Sequence, residues 1–255
     1  MDKLMHDVSN MNGITPVNVQ QYLYEKTKTN LNITNIRKIM HRYNMTPKHH
    51  TVIHVNRASK EEVSSWQSSL KKRISRLENR GCTVFVQDES IFVHDVIQSR
   101  VKWSLRGSTM VVPYTGSHKR LVMYGAISEN NKQFIRTHSK FNTDSFVKFT
   151  LDLHQHFGKV AVIIYKAPQH RSDMVRNMLA DNRDIEIIYL LTGSPQLNAT
   201  EELWHRAKRD LMVSQHYPTF ADLRCAVSEY FRTMRHHLDI KKYLFRNMEE
   251  SLTNF

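Results

Sequence analysis

The sequence has few of the features that mark secreted, disulfide-bonded or membrane-spanning proteins. Its two cysteines, Cys82 and Cys225, are too few for a disulfide framework or a cysteine-rich zinc site. The longest apolar runs, such as Val160–Ile164, are far below membrane-spanning length, and residues 1–4 do not begin a basic and then apolar leader. We therefore expect a soluble protein of a reducing compartment, the cytoplasm, with no membrane partner.

Acidic side chains are scarce relative to basic ones. The chain has 24 Asp and Glu against 37 Lys and Arg, a formal net charge of +13. Such an excess favours a polyanionic partner, because lysine and arginine gain affinity by displacing counterions from phosphates. Residues 1–80 hold 14 of the basic and only 6 of the acidic residues. We therefore expect this part to bind nucleic acid, and the protein to be associated with the nucleoid.

Two short helices are predicted near the N-terminus. Thr15 and Pro16 give an N-cap and a first-turn proline to a helix that ends near Thr27. A second helix begins around residue 33 and has four basic residues on its outer side: Arg37, Lys38, His41 and Arg42. The pair fits a helix-turn-helix whose second helix enters the DNA major groove, and it also fits an ordinary amphipathic pair with a solvated basic face.

The three-helix form of this motif needs one more helix, but only about a dozen weakly patterned residues precede Thr15. We therefore expect residues 1–50 to form a partial DNA-binding region whose front is missing. Residues 51–81 are interpreted as a basic linker and a helix from Lys60 to Arg80, and Lys48, where the linker begins, is expected to contact phosphates.

From Cys82 onward the pattern predicts strands. Antiparallel strands come first and strands alternating with helices follow, which predicts a mixed α/β domain over residues 82–215 and a helical tail over residues 216–255. The predicted strands are Thr83–Gln87, Ile91–Val96, Leu121–Ile127, Phe134–Thr137, Val160–Ile164 and Ile185–Leu190, and helices are predicted over residues 141–157 and 171–181.

Three positions follow a strand or open a helix: Asp88, Tyr165 and Glu201. Phosphodiester chemistry with two magnesium ions needs carboxylates from separate elements that converge on one point. Asp88 and Glu201 suit this geometry, whereas a neutral phenol such as Tyr165 is a poor ligand for a hard cation. Simpler roles stay open, since a strand-end Asp is often a turn residue and a first-turn Glu is favoured by the helix dipole.

Several segments, in order, carry a family resemblance. They are Val-Phe-Val-Gln-Asp-Glu-Ser at residues 84–90, Ala-Pro-Gln-His-Arg-Ser at residues 167–172, and Ser-Pro-Gln-Leu-Asn-Ala-Thr-Glu-Glu-Leu-Trp at residues 194–204. With them, residues 82–210 resemble the catalytic domain of the mariner superfamily of transposases and its prokaryotic insertion-sequence relatives. Residues 15–44 are similar to the second helix-turn-helix of that family.

The resemblance implies a ribonuclease-H-like mixed sheet flanked by helices, preceded by a small all-α helix-turn-helix region. It also implies a triad of Asp, Asp and Asp or Glu that holds Mg²⁺ or Mn²⁺, double-stranded DNA with terminal inverted repeats as the partner, and action as a homodimer.

Carried over by position, Asp88 is the first catalytic and metal-binding carboxylate and Glu201 is the third. The second should be the Asp of a strand-end Asp-Asn, and Tyr165 and Lys166 stand there instead. We therefore expect weakened metal binding and impaired catalysis. Asp173, Asp95 and Glu89 are the nearest alternative acids, but none comes from the required strand.

Two functions follow. The first, which the resemblance implies, is a transposase that binds element ends and performs metal-dependent strand cleavage and transfer. The second is a non-catalytic DNA-binding remnant or a co-opted regulator derived from a transposase. The replacement at residues 165 and 166 favours the second for this chain.

Overall fold

The computed structural model describes residues 2–11, 13–47, 58–95, 106–109, 111, 113–213 and 215–246. The chain divides into two compact units, Met1–Ile53 and His54–Phe255. Each unit has hydrophobic core residues of its own.

The described part of the N-terminal unit consists of three helices: α1 (Asp2–Ser9), α2 (Pro16–Thr27) and α3 (Ile33–Arg42). The predicted start of α2 is confirmed, because the Thr15 side chain accepts a hydrogen bond from the Asn18 N–H and Pro16 occupies the first turn. Asn32 caps α3 in the same way, accepting from the Asn35 N–H.

Helix α1 corrects the sequence interpretation. Met5 and Val8 of α1 are fully buried in one small core with Val19, Leu23 and Ile36. Two buried apolar residues within eight are too few to predict a helix by periodicity, and tertiary packing rather than intrinsic propensity stabilises so short a segment. The expectation that this region lacks a third helix is therefore wrong.

The C-terminal unit combines one sheet with helices on both of its faces. Its strands are β1 (Thr83–Val93), β2 (Arg120–Ser128), β3 (Gln133–His138), β4 (Val160–Ile164) and β5 (Ile185–Tyr189). Its helices are α4 (Lys60–Asn79), α5 (Thr143–Phe157), α6 (Asp173–Asp181), α7 (Ala199–Lys208), α8 (Phe220–Thr233) and α9 (Ile240–Leu244), and a π-helical turn at Arg209–Val213 continues α7.

The strand order is β3-β2-β1-β4-β5. The β3-β2 and β2-β1 pairs are antiparallel, whereas the β1-β4 and β4-β5 pairs are parallel. Val84 and Val86 of β1 belong to the cluster with α4, α7 and α8, and Phe85 belongs to the cluster with α5 and α6. The predicted mixed α/β sheet flanked by helices, preceded by an all-helical region, is confirmed.

Strand β1 also corrects the sequence interpretation, which placed a break between two strands at residues 88–90. The strand is continuous, because β2 pairs with it from Phe85 to Val93 and Asp88 lies opposite Gly125. The polar side chains of residues 88–90 therefore point alternately to the two sheet faces instead of forming a turn. The predicted end at Val96 lies outside the described residues.

Within the described ranges, no helix has the length and apolar character needed to cross a membrane.

Candidate active site

Strands β1 and β4 bring Asp88 and Tyr165 to the same level of the sheet. Their parallel pairing ends with Val86 opposite Ile163, so Asp88 and Tyr165 each follow two residues later. Because side chains alternate between faces, Asp88 shares the face of Val84 and Val86. Tyr165 packs against that same cluster, which contains residues of α7.

Helix α7 brings Glu201 to this face. The Asn198 side chain caps the helix by accepting a hydrogen bond from the Thr200 N–H at 3.0 Å. The buried Thr200 hydroxyl donates to the Val86 carbonyl at 2.9 Å, two residues before Asp88. The first turn of α7, which contains Glu201, is therefore fixed to β1. The sequence interpretation did not predict this contact.

Tyr165 and Glu201 form a direct hydrogen bond. The Tyr165 hydroxyl donates to Oε1 of Glu201 at 2.7 Å. Burial raises the pKa of Tyr165 far above its ordinary value, and the charges of Glu201 and Asp88 raise it further. Tyr165 therefore keeps its proton. Glu201 is partly exposed, and the partial loss of water around its carboxyl raises its pKa while the bond from Tyr165 lowers it.

Asp88 is enclosed enough to disfavour its charged form. Burial raises its pKa well above the ordinary value, and the nearby charges of Glu89 and Glu201 raise it further. The Trp204 indole acts in the opposite direction. Its Nε1 is buried, and no described residue partners it with regular hydrogen-bond geometry. The indole ring covers Gly125, where a Cβ atom would lie 2.6 Å from Cζ2 of Trp204.

Lys208 brings a positive charge to the same site. Burial lowers its pKa and the charge of Asp88 raises it, so the ammonium lies within electrostatic reach of Asp88. Its Nζ is 5.7 Å from the centroid of the Phe92 ring. The sequence interpretation missed Lys208, although it follows Glu201 by two helical turns and so shares its helix face. Lys166, which stands beside Tyr165 in place of the family's Asn, is exposed.

These side chains do not suit a pair of divalent metal ions. Magnesium prefers several ionised oxygen ligands, whereas only two of these three side chains, Asp88 and Glu201, have a carboxyl group, and the third, Tyr165, retains its proton and donates it to Glu201. Lys208 supplies a competing positive charge. Across the described ranges, no group of three or more His, Cys, Asp or Glu residues is arranged to hold a metal ion.

None of the three alternative acids is placed to act as the second carboxylate. Asp173 is exposed at the start of α6 and pairs with Arg176. Asp95 has φ of 65° and accepts hydrogen bonds from the backbone of Thr115 and Ser117. Glu89 lies on the opposite sheet face from Asp88, where its carboxyl group contacts His170.

The predicted DNA-binding residues lie in the N-terminal unit. All four that belong to α3 are exposed: Arg37, Lys38, His41 and Arg42. Helix α3 buries Ile36 on its inner side. Lys48 lies outside the described residues. The geometry is that of a helix with one apolar side and one basic, solvent-facing side.

Comparisons with known proteins agree with this fold. The model of one protein family, DDE superfamily endonuclease, matches residues 83–224. The solved structure of the Mos1 transposase paired-end complex with left transposon end is 11% identical, with 98% of this chain and 75% of that chain covered and a TM-score of 0.65. The Mos1 mariner paired end complex with Mg is 12% identical, with coverages of 96% and 74% and a TM-score of 0.67.

The Mos1 mariner paired end complex with Mn is also 12% identical, with coverages of 98% and 75% and a TM-score of 0.64. No curated protein matched the chain. At these identities the likeness concerns the fold, and it confirms the predicted ribonuclease-H-like architecture.

Proposed function

Because the chain belongs to the DDE superfamily endonucleases, we propose that it is a transposase-derived protein that binds DNA and whose strand-cleaving chemistry is impaired. The proposal of impaired chemistry is supported by the hydrogen bond from Tyr165 to Glu201. A hydroxyl that keeps its proton occupies the second position of the triad, and it engages the carboxylate that would serve as the third metal ligand.

The proposal of DNA binding is supported by three features. The basic residues of α3 are exposed, the chain has a formal net charge of +13, and the fold is shared with a protein solved in complex with a transposon end. We propose that α3 acts as the recognition helix of a helix-turn-helix, with duplex DNA of terminal inverted repeats as its partner and a homodimer as the binding form.

The DNA-binding part is tested by the salt dependence of affinity. Replacing Arg37, Lys38 and Arg42 by Ala should reduce the magnitude of the slope of log K against log salt concentration by about 2–3. Each phosphate contact contributes about 0.9 to this slope. A matched control removes the same charge from exposed residues elsewhere in the unit: Lys3, Lys26 and Lys28. Equal slopes for the two triple variants would favour an ordinary amphipathic helix pair with a solvated basic face.

The proposal of impaired catalysis is tested by restoring the Asp-Asn pair of the resembled family at residues 165 and 166. We expect no metal-dependent nicking of supercoiled DNA by the unmodified chain, and nicking with Mn²⁺ or Mg²⁺ by the Tyr165→Asp, Lys166→Asn double variant. Adding Glu201→Gln to the double variant should abolish any nicking, which excludes a contaminating nuclease. Robust nicking by the unmodified chain that Glu201→Gln removes would contradict the proposal.

A further inference from the structure

The sheet face opposite Asp88 carries a buried polar pair that the proposed function does not use. Oε1 of Glu89 lies 3.0 Å from Nε2 of His170, and the two side chains are 6% and 1% exposed. The same Oε1 accepts a hydrogen bond from Nε2 of Gln87 at 3.1 Å. Buried carboxyl and imidazole groups are costly unless each has a partner. The three side chains therefore form a hydrogen-bonded cluster beneath the site, in which Oε1 of Gln87 has no partner among the described residues.

The other nitrogen of His170 reaches the backbone of the second triad position. Nδ1 lies 2.8 Å from the carbonyl oxygen of Tyr165. A carbonyl oxygen can only accept, so Nδ1 carries a proton and donates. Glu89 in β1 is thus connected through one imidazole ring to the main chain at the end of β4.

This connection lies where the regular sheet contacts of β4 end. The Leu190 N–H donates to the Ile164 carbonyl at 2.9 Å. The next carbonyl, of Tyr165, is held by His170 and by the Ala167 N–H at 2.9 Å. At Tyr165, whose hydroxyl contacts Glu201, the His170 side chain therefore takes the place of the interstrand backbone hydrogen bond that the sheet no longer supplies.

His170 is itself fixed by its surroundings. Its ring centroid lies 4.4 Å from that of Phe146. The Tyr189 hydroxyl donates to the His170 carbonyl at 2.9 Å. The imidazole therefore has a defined position from which to hold the Tyr165 carbonyl.

We propose that Glu89 and His170 are positioning residues, which fix the main chain at residue 165 from below the sheet so that its side chain points at Glu201. The proposal rests on the proposed function only for assigning residue 165 to the second triad position. It gives a role to two residues of the motif segments whose side chains lie on the sheet face opposite the Asp88 side chain.

Amide hydrogen exchange in the otherwise unmodified chain tests the proposal without any catalytic readout. The amide nitrogen of an Asn side chain can replace Nδ1 of histidine, whereas that of a Gln side chain can replace Nε2. His170→Gln should therefore speed exchange at the Ala167 amide by about tenfold, as expected for the loss of about one hydrogen bond in the turn. His170→Asn should change it by less than about threefold.

The Leu190 amide is the internal control, because its bond to Ile164 reports on the β4–β5 ladder. The Leu190 amide should exchange at the same rate in both variants. This control distinguishes a local loosening of the turn at residues 165–167 from a lower stability of the whole sheet. Equal exchange at Ala167 in the Asn and Gln variants, or an equal rise at Leu190, would overturn the proposal. If His170→Gln does not fold, the isosteric Glu89→Gln replaces it, with an expected rise at Ala167 of about threefold; no rise would then overturn the proposal.

A second measurement separates this inference from the proposed function. In the Tyr165→Asp, Lys166→Asn background, His170→Gln should weaken Mn²⁺ binding by about 10–100-fold, the usual effect of losing a residue that orients a metal ligand. If this background neither binds Mn²⁺ nor nicks DNA, the account of a decayed metal site fails, while the exchange experiment still decides the role of His170.

Discussion

Gly125 is the residue at which a single added methyl group should disturb the site most directly. It lies opposite Asp88 in the β1–β2 ladder, and the Trp204 ring packs on it. A Cβ atom there would lie 2.6 Å and 2.7 Å from Cζ2 and Cη2 of Trp204 and 2.9 Å from Cδ1 of Ile135. Real Cβ contacts are not this short, so Gly125→Ala must displace the indole or the strand.

The expected magnitude combines two opposing effects. Overpacking a well-filled core costs about 1–3 kcal/mol. Replacing glycine by alanine within a strand recovers about 0.5–1 kcal/mol of backbone entropy. Because Trp204 is 4% exposed and also packs edge-on against Phe92 and Phe231, it has little room to move. We therefore expect a net loss of about 1–2 kcal/mol, or about 2–8 °C in Tm for a unit of this size.

The assay is urea and thermal unfolding of four proteins in a double-mutant cycle: the unmodified chain, Gly125→Ala, Trp204→Phe and the double variant. Phenylalanine lacks the outer part of the indole that clashes with the new methyl group. Gly125→Ala should therefore cost less in the Trp204→Phe background, with a coupling energy of about 0.5–2 kcal/mol.

Two results would refute this reasoning. A neutral or stabilising Gly125→Ala variant would show that the Trp204 ring is not held against residue 125. A cost that is the same in the Trp204→Phe background would show that the clash lies with Ile135 or the strand and not with the indole that borders Asp88.

The remaining predictions concern the hydroxyl and carboxyl groups around the site. Tyr165→Phe should cost more stability at neutral pH than Tyr189→Phe, by about 1 kcal/mol in urea unfolding, because one hydroxyl donates to the Glu201 carboxyl and the other to a neutral carbonyl; equal costs would argue against an ionised acceptor. Asp95→Asn should lower Tm at neutral pH, and the difference in Tm from the unmodified chain should shrink as the pH falls below about 4. The reason is that hydrogen bonds lower the pKa of Asp95, so the stabilisation that they provide is lost when the carboxylate is protonated. A pH-independent difference in thermal scans would contradict this prediction. Saturating Mn²⁺ at about 100 times its dissociation constant should raise the Tm of the Tyr165→Asp, Lys166→Asn variant by about 5–10 °C and leave the unmodified chain unchanged; equal shifts would show that position 165 does not govern metal binding.

Helix boundaries were the most predictable part of the fold, because their determinants are local. Thr15 with Pro16 marked the start of α2, and the periodic residues of 60–80 marked α4. The break predicted in β1 was wrong because Asp88, Glu89 and Ser90 were treated as a turn. What keeps them extended is the long-range pairing with β2, which no local pattern encodes.

The sequence predicted which side chains come together at the candidate site, but not the contacts that they make there. The family resemblance places Asp88, Tyr165 and Glu201 together, and the structure does bring Tyr165 and Glu201 into contact. The anchor from Thr200 to Val86 and the approach of Lys208 to Asp88 depend on how α7 packs on the sheet. Such contacts join residues more than a hundred positions apart and leave no periodic signal.

If Tyr165 occupies the second triad position, as proposed, it changes the electrostatics of the site as well as the number of carboxylate ligands. Three carboxylates converging in a poorly solvated site repel one another unless a cation neutralises them. Replacing one by a phenol removes a negative charge and adds a donor, which Glu201 accepts at 2.7 Å. The nearby ammonium of Lys208 offsets the charge of Asp88. On the proposed function, the hydrogen bond from Tyr165 to Glu201 and the charge of Lys208 would both oppose the entry of a divalent ion and both reduce the repulsion between the remaining carboxylates.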